Sequence, residues 1–264
     1  MLVVYMIWFS TLSATSHEAK FVNLLDDTGN SMSSQSNYCR LSIQNRNEDH
    51  QAKPLTDIKS MSRVRSITIF PPAIEVMPSL SRFEVLCVLD LSRCNLGENS
   101  SLQLNLKDVG HLIHLRYLGL AGTKISKLPA EVGKLQFLEV LDLENNPFLK
   151  ELPSIVCNFR RLIYLNLFGC PVVPPVGVLQ NLTSIEVLRD ILVSLNIIAQ
   201  ELGNLERLRE LDICFRDGSL NLVLERIDPY KYSFALHVAA LLCFVFVFKL
   251  SQANLRVYSQ FRDE

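Results

Sequence analysis

Asp90 and Asp142, His111 and His114, and two Asn-x-Ser/Thr sequences are the residues here whose types and spacing could carry chemistry. Paired carboxylates flanking a bond are what glycoside hydrolysis requires. Asp90 and Asp142, however, fall in a regular row with Gly119, Asn166, Glu186 and Asp212, and a row of that kind needs no pocket to explain it. His111 and His114 stand close along the chain, yet no cysteine or carboxylate cluster completes a metal-ligand set around them. No Ser, His and Asp arrangement resembles a nucleophile elbow, and no G-x-x-x-x-G-K-[ST] loop offers backbone amides to a phosphate. Asn99-Ser-Ser and Asn181-Leu-Thr match the glycosylation pattern, which acquires meaning only if the chain is secreted. The expectation is a non-enzyme with no cofactor and no metal.

The elements that position these side chains are set by a repeat. Eight aliphatic-x-aliphatic couplets recur: Leu41/Ile43, Ile67/Ile69, Leu89/Leu91, Leu118/Leu120, Leu141/Leu143, Leu165/Leu167, Ile185/Val187 and Leu211/Ile213. Their mean interval, (211 − 41)/7, is about 24 residues, the period of a leucine-rich-repeat solenoid. Each unit supplies one short strand and a return segment, and neither can bury its apolar side alone. The expected fold is therefore α/β: a parallel concave sheet with short helices or turns on the convex side, in about eight repeats.

From Phe83 to Pro174 the array is tight, and LCVLDLSRCNL, LRYLGLAGTKI, LEVLDLENNPFL and LIYLNLFGCPVV align. Three residues after the last leucine stands Cys94, Thr123, Asn146 or Cys170, in a slot expected to pack inside the turn. Leu128-Pro129 and Leu152-Pro153 close the strand half, and Val132, Leu135 and Leu138 suit a short convex helix.

Composition bounds the function class. Apolar residues make up 48% of 264, enough for a large core, and the net charge of −1 argues against a nucleic-acid partner. Seven cysteines show no paired framework, which fits a reducing, cytoplasmic setting. Residues 1–20 are an apolar N-terminal segment, signal-like or cap-forming, although no Lys or Arg precedes its apolar run. Residues 21–82 are irregular leading repeats, broken by the polar stretches 26–37 and 44–53. Residues 83–222 are the array proper, and 223–264 an apolar tail whose run 234–248 is short for a membrane span but leaves membrane contact open.

Residues 83–176, with the run GHLIHLRYLGLAGTKISKLPAEVGKLQFLEVLDLENNPFLKELP, resemble the leucine-rich-repeat region of plant intracellular disease-resistance proteins of the nucleotide-binding type. The stretch 176–213 is similar to the continuation of that region in cereal members, and FVNLLDD, CRLSIQN and SRVRSITIF to its beginning. The resemblance implies protein recognition in innate immunity, with a pathogen effector, a guarded host protein or another resistance receptor as partner. The family's ATP/ADP switch domain has no counterpart in these residues, so the chain reads as a truncated member.

In such a solenoid the outward strand positions are the binding face. The row residues Asp142, Asn166 and Asp212 are candidates there, beside Arg116, Tyr117 and Glu139. Glu144, Tyr164, Phe168 and Arg209 complete the set, since Tyr, Arg and Phe most often anchor interfaces. The acidic row would steer a basic partner. Two alternatives compete: a secreted or membrane-anchored repeat protein, favoured by the apolar ends, and an intracellular Ras-binding-type scaffold, favoured by the L-P-x-x-[VI]-G turn at Leu128–Gly133.

Overall fold

The computed structural model describes residues 21–24, 39–43, 61–71, 77, 79–97, 106–193, 205–215 and 221–225. The apolar runs 1–16 and 234–248, the polar stretches 26–37 and 44–53, and the Asn99 glycosylation sequence lie outside them.

Ten strands form one sheet in chain order. They are β1 (Phe21–Leu24), β2 (Arg40–Ile43), β3 (Ser66–Ile69), β4 (Val88–Asp90), β5 (Tyr117–Gly119), β6 (Val140–Asp142), β7 (Tyr164–Asn166), β8 (Val187–Val193), β9 (Glu210–Phe215) and β10 (Asn221–Glu225). From β1 to β9 every pairing is parallel, and β10 joins β9 antiparallel. The fold is the expected repeat solenoid with its parallel sheet.

The register follows the couplets. Leu41, Ile67, Leu89, Leu118, Leu141, Leu165, Leu188 and Leu211 are partners in successive strands. Their side chains, with Leu91, Leu120, Leu143 and Leu167, lie in one continuous buried cluster. Burying an aliphatic side chain of this size is worth about 1.5–3 kcal/mol, so stacking coils supplies the stability that no single coil holds.

One couplet stands in a different frame. Ile185 and Val187 are not the strand pair: Leu188 and Ile191 are, with a bulge between them where Asp190 takes φ 52°. A regular L-x-L step from Leu188 would drive the Asp190 carboxylate into the apolar core. The extra residue turns it outward and brings Ile191 in, fully buried.

The strands are short because the chain turns at once. The second residue after each couplet is Arg93, Gly122, Asn145 or Gly169, all in the left-handed region at φ 66°, 66°, 55° and 73°. Next comes the slot residue. Cys94, Thr123, Asn146 and Cys170 are all buried, as expected of that position. Asn146 Nδ2 donates to Leu120 O at 2.8 Å and Leu143 O at 2.7 Å, while its Oδ1 accepts from Ile125 N at 3.3 Å. The Cys170 thiol donates to Leu143 O at 2.9 Å.

The return segments are short 3-10 helices, at Leu106–His111, Ala130–Lys134, Ser154–Asn158 and Leu179–Asn181. Pro129 and Pro153 stand just before their turns in extended conformation, as N-caps and not within the first turn. Gly110 and Gly133 lie where successive turns meet. A Cβ at Gly110 would come within 2.7 Å of Glu131 O, and one at Gly133 would overlap Ile155 Cγ1.

Candidate functional site

The sheet face turned away from the leucine core carries three parallel rows of side chains across β4–β9. The first holds Val88, Tyr117, Val140, Tyr164 and Val187, which pack into a second apolar cluster separate from the main core. Alternating valine and tyrosine lets each ring lie across its neighbours. Tyr117 and Tyr164 are thereby only 8% and 4% exposed. The sequence placed both among outward-facing candidates; they are instead largely covered.

The second row runs Asp90, Gly119, Asp142, Asn166 and Arg189 in register, with Asp212 after the bulge. Glu186, assigned to this row from the sequence, is displaced by the change of frame, and Arg189 takes its place. Three row residues end their strands in the same way. Oδ1 of Asp90, Asp142 and Asn166 accepts the backbone N–H two residues on, from Ser92 at 3.0 Å, Glu144 at 3.1 Å and Phe168 at 3.1 Å. This is the local turn chemistry that short acidic and amide side chains provide. Asn166 is itself buried at 4%, its Nδ2 donating to Glu144 Oε2 at 3.0 Å.

The third row precedes the strands and contains Cys87, Arg116, Glu139, Ile163, Glu186 and Arg209, linked by backbone bonds. Arg116 pairs with Glu139 at 2.7 Å and Arg209 with Glu186 at 3.4 Å. Arg189 of the second row pairs with Glu210 at 2.8 Å, and its Nε is buried without a partner. Pairs this exposed contribute at most about 1 kcal/mol each and mainly fix side-chain direction.

The cations are thus taken up by row-three acids and Glu210. Among the described residues no Lys or Arg pairs with Asp90, Asp142 or Glu144. Burial pushes the Asp142 carboxyl up to about 6, helped by the nearby charges of Glu144 and Asp90 and opposed by its bonds to Glu144 N and Asn166. Burial likewise lifts Asp212 to about 6, aided by Asp190. Burial and the Asp142 charge raise the Tyr164 phenol to about 12.

Of the candidate set, Arg116, Glu139, Asp142, Glu144, Arg209 and Asp212 are part or wholly accessible on this face, and Phe168 is 41% exposed at its edge. Arg189, Asp190 and Glu210 belong to the same surface and were missed. The signal for them was the uneven couplet spacing on either side of Ile185, 20 residues before and 26 after, which becomes an even 23 and 23 about Leu188 (188 − 165, 211 − 188).

His111 and His114 are exposed, and His114 stacks on Phe137 with centroids 6.4 Å apart while Arg161 covers the same ring at 4.7 Å. Among the described residues no group of three or more His, Cys, Asp or Glu converges as metal ligands would. Asn181 is exposed, and its Nδ2 donates to Gly177 O at 2.6 Å.

Comparison with known proteins places this architecture. The family described as leucine-rich repeat region matches residues 63–226. Disease resistance protein RGA4 of Oryza sativa subsp. japonica is 37% identical over 106 residues, covering 40% of this chain and 10% of the relative. Disease resistance protein RPP13 of Arabidopsis thaliana is 33% identical over 178 residues, 64% of this chain and 19% of the relative. The chain therefore spans between a tenth and a fifth of these relatives' length. Among solved structures, the leucine-rich-repeat protein LIC12759 of Leptospira interrogans superposes with a TM-score of 0.45 at 23% identity, covering 56% of this chain and 36% of that one. The sheet register, the slot residues and the family match agree: this chain belongs to the leucine-rich-repeat family, and its repeats are homologous to those of plant disease-resistance proteins.

Proposed function

We propose that the chain is a non-catalytic protein-recognition module of the disease-resistance type, and that its partner docks on the outward strand face. The carrying observation is the in-register surface of β4–β9. Arg116, Glu139, Asp142, Glu144, Phe168 and Arg209 stand on it side by side, held by ion pairs and strand-end hydrogen bonds. A face whose polar groups are held in place before binding loses little conformational entropy on docking. The partner is a protein: a pathogen effector, a guarded host protein or another resistance receptor.

The compartment that fits is the cytoplasm. Cys94 and Cys170 are built into the core as thiols, and burial pushes them up to about 12 and about 11, far from the reactive thiolate. Among the described residues no helix is long and apolar enough to cross a membrane.

Site-specific photo-cross-linking in plant cells tests the reading. A cross-linker at Glu144 or Phe168 should capture one or a few proteins that are absent when it sits at Lys134 or Arg160 on the return side. The same capture pattern from both sides would overturn it.

A further inference from the structure

We propose that Asp90, Tyr117, Asp142 and Tyr164 form a subsite for a cationic side chain, an arginine or lysine, carried by an extended segment of the protein partner. This rests on the recognition reading above and adds to it a ligand chemistry and a place.

Asp90 and Tyr117 meet over Gly119, and Asp142 and Tyr164 stand on the next two strands. The point where a Gly119 Cβ would stand lies 2.7 Å from Asp90 Oδ1 and 3.1 Å from the Tyr117 hydroxyl. Asp90 thus leans across the side-chain-free position toward Asp142, whose strand lies about 4.8 Å beyond that of Gly119. Glu144 adds a third carboxylate beside Asp142. Among the described residues no Lys or Arg pairs with them, and Arg116, Arg189 and Arg209 are engaged by Glu139, Glu210 and Glu186.

The tyrosines give a second and independent indication. Tyr117 and Tyr164 are more than nine-tenths buried, and among the described residues neither hydroxyl has a hydrogen-bond partner. The rings are covered while the unbonded hydroxyl oxygens reach the surface as open acceptors. The Tyr117 hydroxyl points at the same place over Gly119 as the Asp90 carboxylate, and Tyr164 stands two strands along the same row, beyond Val140 and near Asp142. Two uncommitted hydroxyl oxygens and two uncompensated carboxylates offer acceptors only to a donor-rich, positively charged group. Arginine, with five N–H donors, and lysine, with three, are the side chains that match. An anion is excluded by the same carboxylates.

The test is fluorescence anisotropy of the full chain at low ionic strength. The probe is a labelled peptide alternating arginine and serine, compared with its lysine form and its citrulline form, which keeps the shape and loses the charge. The arginine or lysine peptide should bind and the citrulline peptide should not. D90N/D142N should weaken binding at least about tenfold, and Y117F/Y164F about threefold, since each hydroxyl supplies one neutral acceptor. E131Q and E151Q, on the return side, should leave it unchanged, and thermal melts confirm that all variants fold. Equal binding of the citrulline peptide, or unchanged binding by D90N/D142N, overturns the subsite. If the peptide fails while Glu144 still cross-links a specific protein, the subsite falls and the recognition face stands. If Glu144 and Lys134 cross-link alike, the recognition reading itself falls.

Discussion

The side-chain amide of Asn146 donates to the carbonyl of Leu120 in the preceding coil, 2.8 Å away, and so ties two turns of the solenoid across their buried interior. The same amide holds Leu143 O and its oxygen accepts from Ile125 N. Asn146→Ala removes three buried hydrogen bonds, leaving Ile125 N without a partner while Leu120 O keeps Thr123 Oγ1 and Leu143 O keeps the Cys170 thiol. At about 1 kcal/mol or more for each, the loss should be about 3 kcal/mol. Thermal melts should show a drop of several degrees. Thr123→Val, which removes one hydroxyl bonded to Leu120 O, should cost about a third as much. Equal effects would mean that the slot is filled by volume alone.

Asp142 should make stability depend on pH. Its folded carboxyl titrates at about 6 against an ordinary 3.8, so the folded chain keeps a proton that the unfolded chain releases. The associated stability is complete below about pH 4, declines as pH rises through 6, and is absent above it. Asp142→Asn keeps the Oδ1 acceptor for Glu144 N and removes the charge. It should match the parent near pH 4 and exceed it near pH 7.5 by about 1–2 kcal/mol. Asp212, which also titrates at about 6, should leave part of the slope in place. Melts across this range that show no gain near neutrality would count against the burial argument.

Gly133→Ala should destabilise by about 1–3 kcal/mol, because its Cβ would overlap Ile155 of the next coil. The double change with Ile155→Ala should recover part of the loss, since it removes the Cγ1 and Cδ1 that reach the glycine. Additive losses in the double variant would show that the two residues do not meet.

At the β8 bulge, Asp190 combines a left-handed backbone, φ 52°, with a carboxylate that accepts Gly169 N at 2.9 Å. Asn can satisfy both demands, Gly only the first and Ala neither. Denaturant melts should therefore rank Asp190→Asn above Gly above Ala, with about 2 kcal/mol between the ends.

The couplets made most of the fold legible, because an aliphatic pair flanking one outward residue has few ways to be buried other than a short strand. Legibility failed where one segment offered two frames. IEVLRDIL satisfies the pattern at Ile185/Val187 and again, with one residue inserted, at Leu188/Ile191. Only the cost of burying Asp190 decides between them, and that cost appears when the neighbouring strand is in place. The face was half legible for a related reason. Arg116, Glu139, Glu144 and Phe168 stand part or wholly exposed on the outward face. The burial of Tyr117 and Tyr164 depends on Val88, Val140 and Val187 from adjacent strands, which no single repeat displays.

A stack of coils arcs toward whichever side has the shorter pitch. Strands repeat at about 4.8 Å. On the return side, Gly110 and Gly133 remove the one carbon that would hold Glu131 and Ile155 away, so they shorten that side and oppose the arc. A bulkier residue there, such as Cys157 at the equivalent place in the next coil, lengthens it. The radius of the surface offered to a partner is thus adjustable one small residue at a time, from the far side of the molecule. A lineage pressed to refit a changing partner can alter that radius without touching any residue that meets it.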